Sequence, residues 1–189
     1  MHSYIKMKSK KKPLIKKIEI EQSINVEVNN NAVTIKGEKG EISRKFNSKS
    51  IIIKTEENKI IVDSIKEKKK EKKMVNTIVA HLKNMIKGVT KGFEYELSAV
   101  FKHFPMTLEV KNNKVLIKNF LGEKVPRECE IVEGVNVNLT GQKFILSGID
   151  KEKVGSMASR LELITRVTKM DRRIFQDGIF ITRKDNKII

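Results

Sequence analysis

Seven basic groups stand close together near the end of this chain: Arg166, Lys169, Arg172, Arg173, Arg183, Lys184 and Lys187, against Asp171, Asp177 and Asp185. Four of the chain's seven arginines belong to this group. A guanidinium fork holds two phosphate oxygens at once, where an ammonium acts as a point charge. The chemistry this spacing offers is recognition of a phosphate backbone. Groups for covalent chemistry are sparse. His2, His81 and His103 have no second ligand at a metal-site spacing. The stretch Gly37-Glu38-Lys39-Gly40 lacks the spacing and the Lys-Ser/Thr end of a phosphate-binding loop. The five aspartates are dispersed, which argues against a metal-dependent nuclease built on clustered carboxylates. With Tyr4 and Tyr95 as the only tyrosines and no tryptophan, a platform for stacking single-stranded bases is not expected. The eight phenylalanines and seven methionines read as core. We therefore expect no enzyme, no metal, no cofactor and no small-molecule substrate.

Charge supports the same class of partner. Forty Lys and Arg face twenty-three Asp and Glu in 189 residues, a formal net charge of +17, which is the electrostatic footprint of a nucleic-acid binder. The excess is spread along the chain: +7 on an arm over residues 1–17, +5 over 18–90 and +5 over 91–189. The arm is expected to be unstructured in the free protein and has the look of a nuclear import signal. Lys66 to Lys73 form a run charged all round, suited to a solvated loop or helix entry. Hydrophobic residues make up 39%, so the chain has cores as well as charge. No stretch has the apolar length of a membrane span, and the N-terminus leads into no secretory apolar region, so a soluble, intracellular protein is expected. A lone Cys129 excludes an intramolecular disulfide, fits a reducing compartment, and reads as a small, partly buried apolar residue.

The elements that carry these charges form a duplication. Val26-Glu27-Val28-Asn29-Asn30-Asn31-Ala32-Val33-Thr34-Ile35-Lys36 is echoed 82 residues later by Leu108-Glu109-Val110-Lys111-Asn112-Asn113-Lys114-Val115-Leu116-Ile117-Lys118. Alternation of apolar and polar residues marks half-buried strands, and asparagines tolerate the left-handed turn of a hairpin. Gly40-Glu41 against Gly122-Glu123, and Asn58 to Val62 against Gln142 to Leu146, extend the echo as further strands. Each half then closes with an amphipathic helix. The stripe Val75, Ile78, Val79, Leu82, Met85, Ile86 has the same increments as Val154, Met157, Ala158, Leu161, Ile164, Thr165. Gly88 stands where a left-handed helix cap would sit. The pattern predicts an α+β chain of two tandem duplicated domains, each an antiparallel sheet packed against one main helix: 18–90 and 91–189. The second copy would gain the segment Phe93 to Ala99 and a last strand, Gly178 to Thr182.

The segment His81-Leu82-Lys83-Asn84-Met85-Ile86-Lys87-Gly88-Val89-Thr90-Lys91-Gly92-Phe93 resembles the domain junction of the universal large-subunit ribosomal protein six family, in its archaeal and eukaryotic branch. His103-Phe104-Pro105-Met106, Lys118-Asn119-Phe120-Leu121-Gly122-Glu123-Lys124 and Arg173-Ile174-Phe175-Gln176-Asp177-Gly178-Ile179 resemble it too. The resemblance implies a structural protein of the large subunit, binding ribosomal RNA near the sarcin–ricin loop and the stalk base. Neighbouring ribosomal proteins would be its partners, with translation factors in proximity and no membrane. It implies a cytoplasmic ribosome, with assembly in the nucleolus if the source is eukaryotic. The second domain would make the main RNA contacts, through Lys118 and Lys124, through Arg166, Lys169, Arg172, Arg173, Arg183 and Lys184, and through Lys87 and Lys91 at the junction. The chain departs from the family pattern at Met170, where eukaryotic members usually carry a basic residue. A free RNA-binding or annealing protein is the alternative, and it would bind many RNAs loosely with steep salt dependence.

Overall fold

A computed structural model describes residues 15–20, 24–29, 31–48, 50–56, 59–65, 68–102, 104–168 and 170–189. Residues 1–14 of the arm, with the readings made on it, lie outside the described residues, as do Lys66, Glu67, His103 and Lys169. The chain divides into two compact units, Met1–Ile86 and Lys87–Ile189.

In the first unit, β1 (Lys16–Glu19) is followed by β2 (Asn25–Asn29), β3 (Ala32–Gly37), β4 (Gly40–Lys45), β5 (Ile51–Glu56), β6 (Lys59–Ser64) and the helix α1 (Lys69–Thr90), which runs on past the unit boundary. The strands form two antiparallel sheets, ordered β2-β3-β4 and β1-β6-β5. Alternation sets which face is buried: Val33 and Ile35 on β3, Ile51 and Ile53 on β5, Ile60 and Val62 on β6. The apolar stripe of α1 is buried at Val75, Ile78, Val79, Leu82 and Met85. Lys69 to Lys73 make up its first turns, with the lysines in solvent.

The second unit repeats the order: β7 (Phe93–Val100), β8 (Thr107–Lys111), β9 (Lys114–Lys118), β10 (Arg127–Glu130), β11 (Val135–Thr140), β12 (Lys143–Gly148) and α2 (Lys151–Ile164), then β13 (Gly178–Lys184) and β14 (Lys187–Ile188). Its sheets are β10-β9-β8 and β11-β12-β7-β13-β14. The helix packs on β7, β12 and β13 through Val154, Met157, Ala158 and Leu161, which are inaccessible to solvent. Phe144, Leu146, Leu97 and Ile179 meet them in one core. Asp150 caps α2 by accepting the Glu152 amide.

The α+β duplication holds, and three of its details change. Phe93 to Ala99 is no addition. It forms β7, and β7 pairs with β12 as β1 pairs with β6. The counterpart was hidden because β1 is four residues long and includes Lys16 and Lys17. Gly122-Glu123 is no strand either: β3 and β4 are joined by two residues, whereas β9 and β10 are separated by an eight-residue loop containing a short 3₁₀ turn at Phe120–Gly122. Gly88 lies inside α1, and the left-handed residue after the helix is Gly92, with φ 74° and its amide on the Lys87 carbonyl. Gly88 serves close approach instead. A Cβ there would sit 2.1 Å from the Ile149 carbonyl oxygen. The hairpin asparagines behave as read, Asn31, Asn112 and Asn113 all having φ between 50° and 67°.

Because the atom that Gly88 faces is backbone, replacing it with alanine forces the helix and the Ile149 segment apart. Gly88→Ala is expected to lower unfolding free energy by about 2–3 kcal/mol. Urea denaturation followed by circular dichroism measures it.

Candidate nucleic-acid interface

The closing basic group is held by buried polar contacts at the C-terminal end of α2. Thr165, 2% exposed, donates its hydroxyl to the Leu161 and Glu162 carbonyls and accepts the Ile179 amide at 2.9 Å. One side chain thus ends the helix and fixes the start of β13. Asp177, equally buried, accepts the Lys102 amide at 3.0 Å. Asp171 shapes the turn between: its carboxylate accepts the Arg173 amide and its carbonyl the amides of Ile174 and Phe175. Arg166, Arg172 and Arg173 are exposed on this framework. Arg166 and Arg172 line an open cleft of about 730 Å³ together with Val100, Leu163, Phe175 and Phe180. Phe180, read from sequence as core, is 39% exposed, because it alternates out of β13 from the buried Ile179.

The loop between β9 and β10 is the second part. Asn119, Leu121 and Gly122 all have positive φ, and Asn119 donates its side-chain amide to the Pro105 carbonyl. Leu121, at φ 49°, is in a region that L side chains enter at a cost of about 1–2 kcal/mol. Arg127 holds the loop in that shape. Its guanidinium lies 4.2 Å from the Phe120 ring centre, makes two bonds to the Glu123 carboxylate at 2.7 and 2.5 Å, and donates to the Ile164 carbonyl at the end of α2. The Glu123 carboxyl is held below its usual range by that fork. Lys124 projects into solvent from the loop. Arg127 escaped the sequence reading, although its spacing of four from Glu123 is visible there.

The remaining candidates sort by pairing. Lys118 is bound to Glu109 at 2.7 Å, and Lys111 binds the same carboxylate, so the two ammonium groups pull the Glu109 carboxyl down to about 2. Lys87 is ion-paired with Asp185 and lies 5.4 Å from the Phe93 ring centre. Arg183 binds Glu94 at 2.7 Å and approaches Glu96. Glu96 also binds Lys143, and that hydrogen bond is the main reason its carboxyl is held below the usual range, with Arg183 adding a smaller pull. Lys184 and Lys91 are exposed. β13 runs antiparallel to β7, with Gly178 opposite Val100 and Lys184 opposite Tyr95, so about 10–13 Å of strand separates Arg183 and Lys184 from Phe180 in the cleft. Seven of the nine described candidates form two groups, Lys124, Arg166, Arg172 and Arg173 around the end of α2, and Lys87, Arg183 and Lys184 at the other end of the β7–β13 ladder, while Lys118 is held on Glu109 in the β8–β9 hairpin and Lys91 follows the end of α1. Among the described residues, Arg166, Arg172 and Arg173 have no carboxylate partner, in contrast to Arg127 and Arg183.

A family model described as Ribosomal protein L6 matches residues 20–92 and 104–178. The chain is 44% identical over 171 residues to a protein named Large ribosomal subunit protein uL6 from Methanothrix thermoacetophila, covering 90% of this chain and 97% of the relative. Proteins of the same name from Methanococcus vannielii and Sulfurisphaera tokodaii are 45% and 43% identical, each over 91% of this chain and over 94% and 93% of their own lengths.

Two outcomes follow from the pairings. Arg127→Ala removes the fork, the ring contact and the tie to α2, and is expected to lower stability by about 2 kcal/mol in urea denaturation. For Glu109, carboxyl resonances followed by NMR should titrate near 2 and move toward 4.5 in Lys118→Ala. Because the folded value is depressed, the stability it supplies is present above the ordinary carboxylate range and is lost as pH falls from about 4.5 toward 2.

Proposed function

Because this chain belongs to the ribosomal protein L6 family, whose members are structural proteins of the large ribosomal subunit, we propose that its second unit is the main body that binds large-subunit ribosomal RNA. The site we assign is near the sarcin–ricin loop and the stalk base, with neighbouring ribosomal proteins beside it and translation factors docking in proximity. The ribosome of the cytoplasm is the compartment this implies.

One observation carries the assignment to the end of α2. Arg166, Arg172 and Arg173 are exposed there without a carboxylate partner among the described residues, on a backbone held by Thr165, Asp171 and Asp177. A preformed set of guanidinium groups can meet phosphates without first breaking internal ion pairs, and little side-chain framework has to be ordered on binding. Lys87, Lys118 and Arg183 have to exchange an internal carboxylate for a phosphate, so they contribute less to affinity than their charge suggests. Lys124, presented by the loop that Arg127 holds, extends the same surface. A freely diffusing RNA binder would need no such order, since nonspecific attraction depends on charge and counterion release alone.

The test is sedimentation of tagged protein with ribosomal subunits in sucrose gradients before and after a high-salt wash. The wild-type chain is expected to stay at about one copy per large subunit; release to the top of the gradient, with binding to many RNAs at low salt, supports the free RNA binder instead. Arg172→Ala with Arg173→Ala is expected to reduce incorporation more than replacement of two lysines of the N-terminal arm. Equal losses would count against this surface.

A further inference from the structure

We infer that the cleft at the C-terminal end of α2 receives a single nucleobase turned out of the ribosomal RNA, with the phosphates flanking that base on Arg166 and Arg172. This rests on the RNA-binding reading above and adds to it a site that reads a base. A cleft of about 730 Å³ falls within the size range of small-ligand sites. Its lining combines two classes of group that rarely share a surface without purpose. Val100, Leu163 and Phe180 are 47%, 61% and 39% exposed, an apolar grouping at one place where single exposed residues would mean nothing. Beside them stand two guanidinium groups without carboxylate partners among the described residues.

A nucleotide is the ligand whose chemistry matches both. Its base is flat and apolar on its faces, and unstacked bases of loops and bulges settle on aromatic side chains. Its phosphates match the arginines. Glu162 and Gln176 also line the cleft and supply an acceptor and an amide for the base edge. An apolar protein segment would cover the same ring but would bury Arg166 and Arg172 without neutralising them, a costly outcome in a chain of net charge +17.

The probe is deproteinised large-subunit ribosomal RNA, titrated with the full chain by filter binding across a potassium chloride series. Phe180→Leu keeps an apolar side chain and removes the ring face, and is expected to weaken binding about tenfold at an unchanged salt slope. Phe180→Tyr should bind as wild type. Arg166→Ala with Arg172→Ala should reduce the salt slope by about two. Ultraviolet crosslinking in intact large subunits should then place a nucleotide on the peptide carrying Phe175 and Phe180. The inference is overturned if Phe180→Leu binds as tightly as wild type, if Phe180→Tyr loses as much as Phe180→Leu, or if this face crosslinks to protein instead of nucleotide. In those cases a wild-type chain that still sediments with the large subunit leaves the ribosomal reading standing. A wild-type chain that neither sediments with the large subunit nor crosslinks to its RNA removes both.

Discussion

Each unit closes by pairing its first strand with the strand just before its helix: β1 with β6, and β7 with β12. These partners are forty or more residues apart in sequence, so the loop-closure entropy is offset by the apolar face that each pairing buries. In the second unit β7 also pairs with β13, which makes it the central strand of five. Phe93, Tyr95, Leu97 and Ala99 alternate into the core beneath α2, while Glu94 and Glu96 point the other way. Because β7 serves two ladders, a slip of it by a single residue would turn its own side chains to the wrong face and break the match to both neighbours. The positions of the cleft and of the far basic group are both consequences of that register.

The acids of the second unit determine which of its cations remain available. Glu94 and Glu96 on β7 engage Arg183 and Lys143, Glu109 takes Lys111 and Lys118, Glu123 takes Arg127, and Asp185 takes Lys87. Exposed pairs of this kind add little to stability individually, since screening and side-chain ordering offset the attraction. Their larger effect is on position. Arg127 differs, because its fork is joined by a ring contact and a bond to the helix end, and it holds a loop whose backbone is strained at Leu121. Among the described residues, Arg166, Arg172 and Arg173 at the end of α2 are arginines that none of these acids engages.

The two copies share a plan and diverge where the second one carries the candidate basic groups. The two-residue turn between β3 and β4 corresponds to the eight-residue loop that presents Lys124, and β13 with β14 extends one edge of the larger sheet. The first copy keeps the tight connections and the same alternation of buried residues. The second copy thus has the longer β9–β10 loop and the extra strands while the first has the longer helix, 22 residues against 14, and the fold alone would not assign a function to either difference.

Local sequence was enough for the α+β class, the duplication, the buried stripes of both helices and the asparagine hairpins. All of these rest on local periodicity or on the conformational preference of one residue type, and both are written in adjacent positions. It also supplied the net charge and the family resemblance. Only the tertiary structure showed that β1 is the partner of β6, that Gly88 faces the Ile149 carbonyl, that Arg127 holds the Glu123 loop and that Phe180 is exposed beside two arginines. It likewise split the basic candidates between two ends of a strand ladder. Such facts depend on which residues distant in sequence come together, and pairing, close approach and charge neutralisation are decided by that proximity in space.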